Sequence, residues 1–203
     1  MRILAIETAT EACSIALFED GALRDARHEV LGRGHAERLV PMIAELPDKG
    51  EAEEIRVSLG PGSFTGVRIG LAVARALGIA WQGNVCGYPT LALVAAMARG
   101  GTDTPVTVCM NGGHGEWFVQ DFGTNSLPLS EVVSLAPDMA AQRPVHTLLA
   151  GSRAGQLGER IGIAPTAIDL PDARHALALP DALLSESLAP LYGRPPDARL
   201  PGR

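Results

Sequence analysis

Gly60-Pro61-Gly62-Ser63-Phe64-Thr65-Gly66 follows the run Glu54-Ile55-Arg56-Val57-Ser58-Leu59 and precedes an apolar stretch that reaches Trp81. The run before it is apolar at alternate positions and β-branched, which predicts a strand, and a proline between two glycines predicts a turn directly after it. A helix then has to begin inside the turn. Ser63 or Thr65 can cap it, because a short hydroxyl accepts a hydrogen bond from an amide that the first helical turn leaves unpaired. The rest of the chain is organised around this strand, turn and helix.

Within the helix, Gly66, Gly70, Ala74 and Gly78 recur every four residues, so one face carries nothing larger than a methyl group. Val67, Ile69, Leu71, Val73, Leu77 and Ala80 make the remaining surface apolar, and only Arg68 and Arg75 are charged between Val67 and Trp81. A helix apolar nearly all round is buried on more than one side. Glycine inside a helix costs ~1 kcal/mol relative to alanine, so three at one spacing indicate close packing that offsets the loss. Two packings satisfy this: the protein's own sheet and a neighbouring helix, or the sheet on one side and a second polypeptide on the other. The second is the expectation carried forward.

At 203 residues the chain can hold one large domain or two small ones. A net charge of -6 argues against binding nucleic acid by field alone, so a nucleic-acid role needs a partner. Lys49 is the only lysine among 17 basic residues, a compositional bias. Cys13, Cys86 and Cys109 are odd in number and far apart, the pattern of buried free thiols in a reducing cytosol. His28, His35, His114, His146 and His175 include no pair three or four apart, so no zinc site is expected. Glu7 interrupts the first apolar run and no apolar stretch approaches about 20 residues, which predicts a cytoplasmic protein without signal peptide or membrane span.

In order along the chain, residues 2–8, 13–18 and 23–30 read as three consecutive antiparallel strands, the first hairpin having a Thr/Ser tip. An amphipathic helix follows over 35–46, with Pro41 as a candidate kink. The organising strand (54–59) and helix come next, then a short strand at 85–88 and a helix from 89–90 to about 99. The first lobe therefore reads β-β-β-α-β-α-β-α over residues 1–101, with a boundary in Gly100-Gly101-Thr102-Asp103. The second, smaller lobe (102–203) opens with strands at 105–110 and 116–122 around Asn111-Gly112-Gly113-His114-Gly115. Strands at 131–135 and 147–150, helices at 152–161 and 171–184, an extended segment at 190–196 and a frayed tail complete it.

A hydroxyl-tipped hairpin in one lobe and a Gly-rich hairpin in the next resemble the actin, Hsp70 and sugar-kinase ATPase (ASKHA, ribonuclease H-like) fold, in which both tips grip nucleotide phosphates. Glu7 ends the first strand where that fold carries a shorter aspartate, and Asn111 stands where a carboxylate is expected. With both departures ATP hydrolysis is not expected, and Glu7, Thr8, Thr10 and Asn111 form at most a vestigial site of weak nucleotide binding. Gly60 to Gly66 is not a Walker loop, since Val67 rather than lysine follows the last glycine, although an anion could sit at the helix N-terminus. No histidine lies near Ser63, so capping outweighs a nucleophilic role. His35 opens its helix as a capping or interface residue rather than a ligand.

Met1-Arg2-Ile3-Leu4-Ala5-Ile6-Glu7-Thr8-Ala9-Thr10-Glu11-Ala12-Cys13-Ser14-Ile15-Ala16-Leu17 and Ser58-Leu59-Gly60-Pro61-Gly62-Ser63-Phe64-Thr65-Gly66-Val67-Arg68-Ile69-Gly70 resemble the two most recognisable segments of the TsaB, or YeaZ-like, family. Residues 35–41 and 190–194 resemble its weaker ones. The resemblance covers about half the chain closely and the second lobe loosely, where the family's Asp-Ala-Arg is Asn111-Gly112-Gly113. It implies a bacterial subunit needed to make threonylcarbamoyladenosine beside the anticodon of tRNAs that read codons beginning with A.

The metal-binding His-x-x-x-His belongs to the paralogue TsaD, and this chain has Tyr88-Pro89-Thr90-Leu91 at that place. The expectation is a non-catalytic dimerisation subunit, without metal or cofactor, that binds TsaD, is joined by the ATPase TsaE and meets tRNA only through the complex. Gly66, Gly70, Ala74 and Gly78 would pair with His35, Leu39, Met42 and Ile43 in a four-helix bundle with the partner. Gly60, Pro61, Gly62, Ser63, Phe64 and Thr65 would organise that interface. The rival readings are a glycoprotease-like metallopeptidase, a small ATP-dependent kinase, or a homodimer formed when the partner is absent.

Overall fold

A computed structural model describes residues 1–194. The end of the expected extended segment and the expected frayed tail, 195–203, lie outside the described residues. Strands β1 (Arg2–Glu7), β2 (Ala12–Glu19) and β3 (Ala22–Val30) are antiparallel neighbours, and β4 (Glu54–Ser58) and β5 (Asn84–Tyr88) add to β1 in parallel, in the order β3-β2-β1-β4-β5. β1 is central and covered on both faces, which is why it reads as a nearly unbroken apolar run. β3 is an edge and carries Arg24, Asp25, Arg27 and Glu29, charges that discourage pairing with another chain.

Helices α1 (His35–Ala44) and α2 (Phe64–Trp81) cover one face of this sheet, burying Leu4, Ile6, Cys13, Ile15, Leu17, Ile55 and Val57 against Leu39, Met42, Ile43, Val67, Leu71 and Ala74. On the other face Ile3, Ala5, Ala16 and Phe18 meet Ala173 and Ala176. α1 ends two residues before the expected 46 and runs through Pro41. With 18 residues and a mean hydropathy of 1.3, α2 is long and apolar enough to cross a membrane by length and composition, which corrects the expectation that no stretch approaches that length. Here it is the crossover between parallel β4 and β5, and its apolar character serves the sheet.

The second sheet joins β6 (Val106–Gly113), β7 (Glu116–Phe122), β8 (Val133–Leu135) and β9 (Leu148–Ala150) in the order β8-β7-β6-β9. With β6 taking the place of β1, this repeats the first four places of the first sheet, parallel pair included. Helix α3 (Thr90–Arg99) is buried almost entirely and shares a core with Val106, Val108, Met110 and Phe118. β6 continues to Gly113, past the expected end at 110, and a bulge at Gly112 lets Asn111 pair with Trp117 while Gly113 pairs with Glu116. His114 and Gly115, both with positive φ, then make the two-residue hairpin turn.

Helix α4 (Pro137–Ala141) was not expected, although Pro137 at its start and Asp138 in its first turn are helix-opening signals. Helix α5 (Ala154–Ile161) follows β9. The helix expected over 171–184 is absent. Its place is taken by short 3-10 turns at Ala173–Ala178 and Asp181–Leu183, separated at Pro180, which has no amide hydrogen to continue a helix. The chain then returns to the first sheet: Gly87 and Ser185 exchange amide-to-carbonyl bonds of 2.8 and 2.9 Å, and Leu191 N donates to Leu59 O at 2.7 Å. That return covers the β5 edge.

Candidate functional site

The loop from Gly60 to Thr65 grips the tip of the first hairpin. Ser63 N donates to Ala9 O at 2.6 Å, and the Thr8 hydroxyl donates to Gly66 O at 2.8 Å. Ser63 caps α2, its hydroxyl accepting from Gly66 N at 3.2 Å, while Thr65 is exposed. Gly60, at φ +88°, holds a conformation that favours glycine, and its carbonyl receives Thr90 N at 2.8 Å.

The small-residue stripe of α2 is filled from within the chain. A Cβ on Gly66 would overlap Thr8 O, one on Gly70 the Thr8 hydroxyl, and one on Gly78 the Val85 side chain; Ala74 is fully buried in the sheet-facing core. The groove that the sequence assigned to a partner, Gly66, Gly70, Ala74 and Gly78, is occupied here from within the chain: by Thr8 at Gly66 and Gly70, by Val85 at Gly78 and by the sheet-facing core at Ala74. His35, Leu39, Met42 and Ile43 are likewise buried within the chain. Leu39, Met42 and Ile43 lie in the core, and buried His35 approaches Ala12 O at 3.2 Å through Nε2, tying α1 to the start of β2.

What α1 and α2 expose is the complementary surface. Ala36, Val40 and Ala44 on α1 and Ala72, Ala76, Ile79 and Ala80 on α2 face outward, with Val40 52% and Ile79 82% exposed. Of the nearby charges, Glu37 is exposed on α1, and the three arginines are engaged with other groups. Arg68 reaches the Tyr192 hydroxyl at 3.3 Å and lies 3.5 Å above the Phe64 ring, Arg75 donates to Leu188 O at 2.9 Å, and Arg38 binds Glu29 and Glu45. These exposed positions went unread because exposed alanines look neutral in a helix; the signal was their four-residue spacing at 72, 76 and 80.

A cleft of about 500 Å³ separates the two hairpin tips and is lined by Thr10, Glu11, Ser63, Phe64, Asn111 and Arg194, among others. Thr10 and Asn111 thus reach the place expected of a nucleotide site, whereas Glu7 and Thr8 do not. Thr8 is spent on Gly66, and Glu7 is fully buried, its Oε1 accepting from Ala9 N at 2.7 Å. Burial raises the Glu7 carboxyl to about 7, against the opposing bond from Ala9 N and the smaller lowering influence of the nearby Ser58 and Thr90 hydroxyls. Among the described residues Glu11 is the one carboxylate lining the cleft, and the strand-end positions Glu7 and Asn111 present none to it, so the described lining does not fit a nucleotide carried with a divalent cation. Among the described residues no three His, Cys, Asp or Glu side chains stand together as a metal site. Burial pushes Cys13 and Cys86 up to about 11 and Cys109 to about 12, far from the range of reactive thiols.

Comparison with known proteins bears on the whole arrangement. The family described as TsaD, tRNA N6-adenosine threonylcarbamoyltransferase, matches residues 28–178. The tRNA threonylcarbamoyladenosine biosynthesis protein TsaB of Escherichia coli (strain K12) is 43% identical over 100 residues, 47% of this chain and 43% of that protein. The matched part thus spans less than half the length of that curated relative. A Pseudomonas aeruginosa structure, described as similar to peptidase YEAZ, superposes with a TM-score of 0.78 at 29% identity, covering 95% of this chain and 99% of that one. The ethanolamine utilization protein EutJ of Carboxydothermus hydrogenoformans, at 9% identity, TM-score 0.52 and coverage of 88% and 89%, is alike in fold alone. The chain is similar to TsaB and YeaZ proteins, and its fold is the actin-like one.

Proposed function

The chain belongs to the family described as TsaD, tRNA N6-adenosine threonylcarbamoyltransferase, and from that membership we propose that it serves threonylcarbamoyladenosine formation in tRNA as a non-catalytic subunit that pairs with a TsaD paralogue. The observation that carries this reading is the outer face of α1 and α2. It joins Val40 and Ile79 to a row of small residues, and Arg38, Arg68 and Arg75 are all engaged elsewhere. A helical surface of small and apolar residues, with Glu37 as the exposed carboxylate on α1, suits another pair of helices. The partner-binding residues are thus Val40, Ala72, Ala76 and Ile79, in place of the buried stripe.

The absence of catalysis in this subunit is supported by the burial of Glu7 and by Asn111 at the cleft. Neither a metal nor a nucleotide is assigned a role in it. TsaE joins the pair in this scheme, tRNA is met only through the assembly because of the net charge of -6, and the setting is the cytoplasm. Mixing the purified chain with TsaD and weighing the product by light scattering tests the proposal: a heterodimer mass is expected. A chain that stays alone, or that turns over ATP without a partner, would overturn it.

A further inference from the structure

We propose that Glu7 is a proton-controlled latch that holds the tip of the first hairpin on the amino end of α2. Glu7 Oε2, the Ser58 hydroxyl and the Thr90 hydroxyl are buried without a hydrogen-bond partner, and they come from the end of β1, the end of β4 and the first residue of α3. Buried polar atoms are paired in nearly all native proteins, so an unpaired carboxyl oxygen with two unpaired hydroxyls beside it needs an explanation. A proton on Oε2 supplies one: the carboxylic acid then donates to a hydroxyl instead of standing as an uncompensated buried charge.

Among the described residues no cation compensates the ionised form. On β2, Ser14 stands opposite Glu7, and the Cys13 thiol beside it stays protonated. On β4, Arg56 is committed to Glu54 at 2.6 Å. On β5, Cys86 and Tyr88 are neutral, and the Tyr88 hydroxyl donates to Ile6 O at 2.9 Å. Asp172, before the first 3-10 turn, is held by Arg174 and lies 3.4 Å from His28. α2 keeps Arg68 and Arg75 on its outer side, and α3 has no charged residue before Arg99.

The Oε1 atom of the same carboxyl holds Ala9 N, and Thr8 and Ala9 in turn hold Gly66 and Ser63. Hydrating Glu7 therefore requires the tip to lift from α2. A carboxyl that titrates at about 7 when enclosed and at 4.5 when hydrated makes that opening rise about tenfold per pH unit between the two values, then level off. The latch is thus firm in acid and weak from neutrality upward.

Infrared spectra of the whole chain between about pH 5 and pH 9 are expected to contain a protonated-carboxyl band that disappears near neutrality and is missing from Glu7→Gln. In parallel, protection of the Ser63 amide against hydrogen exchange, corrected for the intrinsic rate, should fall about a hundredfold in the wild type and stay flat in Glu7→Gln. If that variant does not fold, Ser58→Ala replaces it. Losing a hydroxyl that favours the charged carboxylate should move the band's midpoint to higher pH. No such band, a midpoint unmoved by Ser58→Ala, or Ser63 protection that ignores pH while the band titrates would overturn the latch.

Discussion

The Cα of Gly66 lies so close to Thr8 O that a methyl group on it would overlap that oxygen. Glycine is here a requirement of tertiary packing, since the first turn of α2 and the tip of the first hairpin share the space. Gly66→Ala gains ~1 kcal/mol of helix propensity, yet it must move a backbone carbonyl rather than the end of a flexible side chain. A net loss of about 1–3 kcal/mol is expected from urea unfolding. An unchanged or raised stability would mean that the tip does not sit on α2.

The cap of α2 separates two neighbouring hydroxyls. Ser63 accepts from Gly66 N, whereas Thr65 is exposed inside the first turn. Ser63→Ala should cost ~1 kcal/mol, and Thr65→Ala should stay within about 0.5 kcal/mol of the wild type. Equal losses from the two would contradict this assignment.

Asp172 pins the returning chain under the first sheet. It accepts from Ser14 Oγ at 3.3 Å and from Arg174 N at 2.9 Å, while Ala173 N donates to Ser14 Oγ at 2.9 Å. Burial alone would raise its carboxyl, but the bonds from Arg174 hold it below the usual 3.8. A carboxylate with a lowered folded pKa stabilises above its unfolded value and loses that contribution as pH falls through the folded one. Asp172→Ala should therefore cost about 1–3 kcal/mol at neutral pH. The gap to the wild type should close in acid below 3.8, and a gap independent of pH would assign the loss to packing.

The sheet order around β1 was legible because local signals agree with tertiary demand there: alternation in 54–59, an unbroken apolar run at a strand covered on both faces, and Pro61 between glycines. The stripe of α2 was legible as a need for close approach, but not as to what approaches. Thr8 lies 58 residues from Gly66, and nothing in the helix's own period names a hairpin tip. The same limit applies to 171–184, which read as a helix. Pro180 and the anchoring of Asp172 to Ser14, 158 residues away, decide for short 3-10 turns. Asn111 and Thr10 were placed at the cleft through the resemblance of their two hairpin tips to the actin-like fold, and both line it. The enclosure of Glu7 depends on β4 and α3 meeting above it, which no single stretch encodes.

Two alanines on α2, two residues apart, distinguish the buried face from the exposed one. Ala74 is fully buried among Ile55, Val57 and Leu71, so Ala74→Arg places an unpaired charge in the core, at a cost of several kcal/mol, and should unfold the monomer. Ala76 points outward beside Ala72 and Ile79, and an arginine there remains in water in the isolated chain. Ala76→Arg should keep the wild-type melting temperature while weakening association with TsaD about tenfold or more, because pairing would bury the guanidinium without a partner. Thermal melting and light scattering on both variants read the two effects separately. If Ala76→Arg pairs normally, the outer face of α1 and α2 is not the contact. If Ala74→Arg melts normally yet fails to pair, the stripe has been wrongly placed against the protein's own sheet.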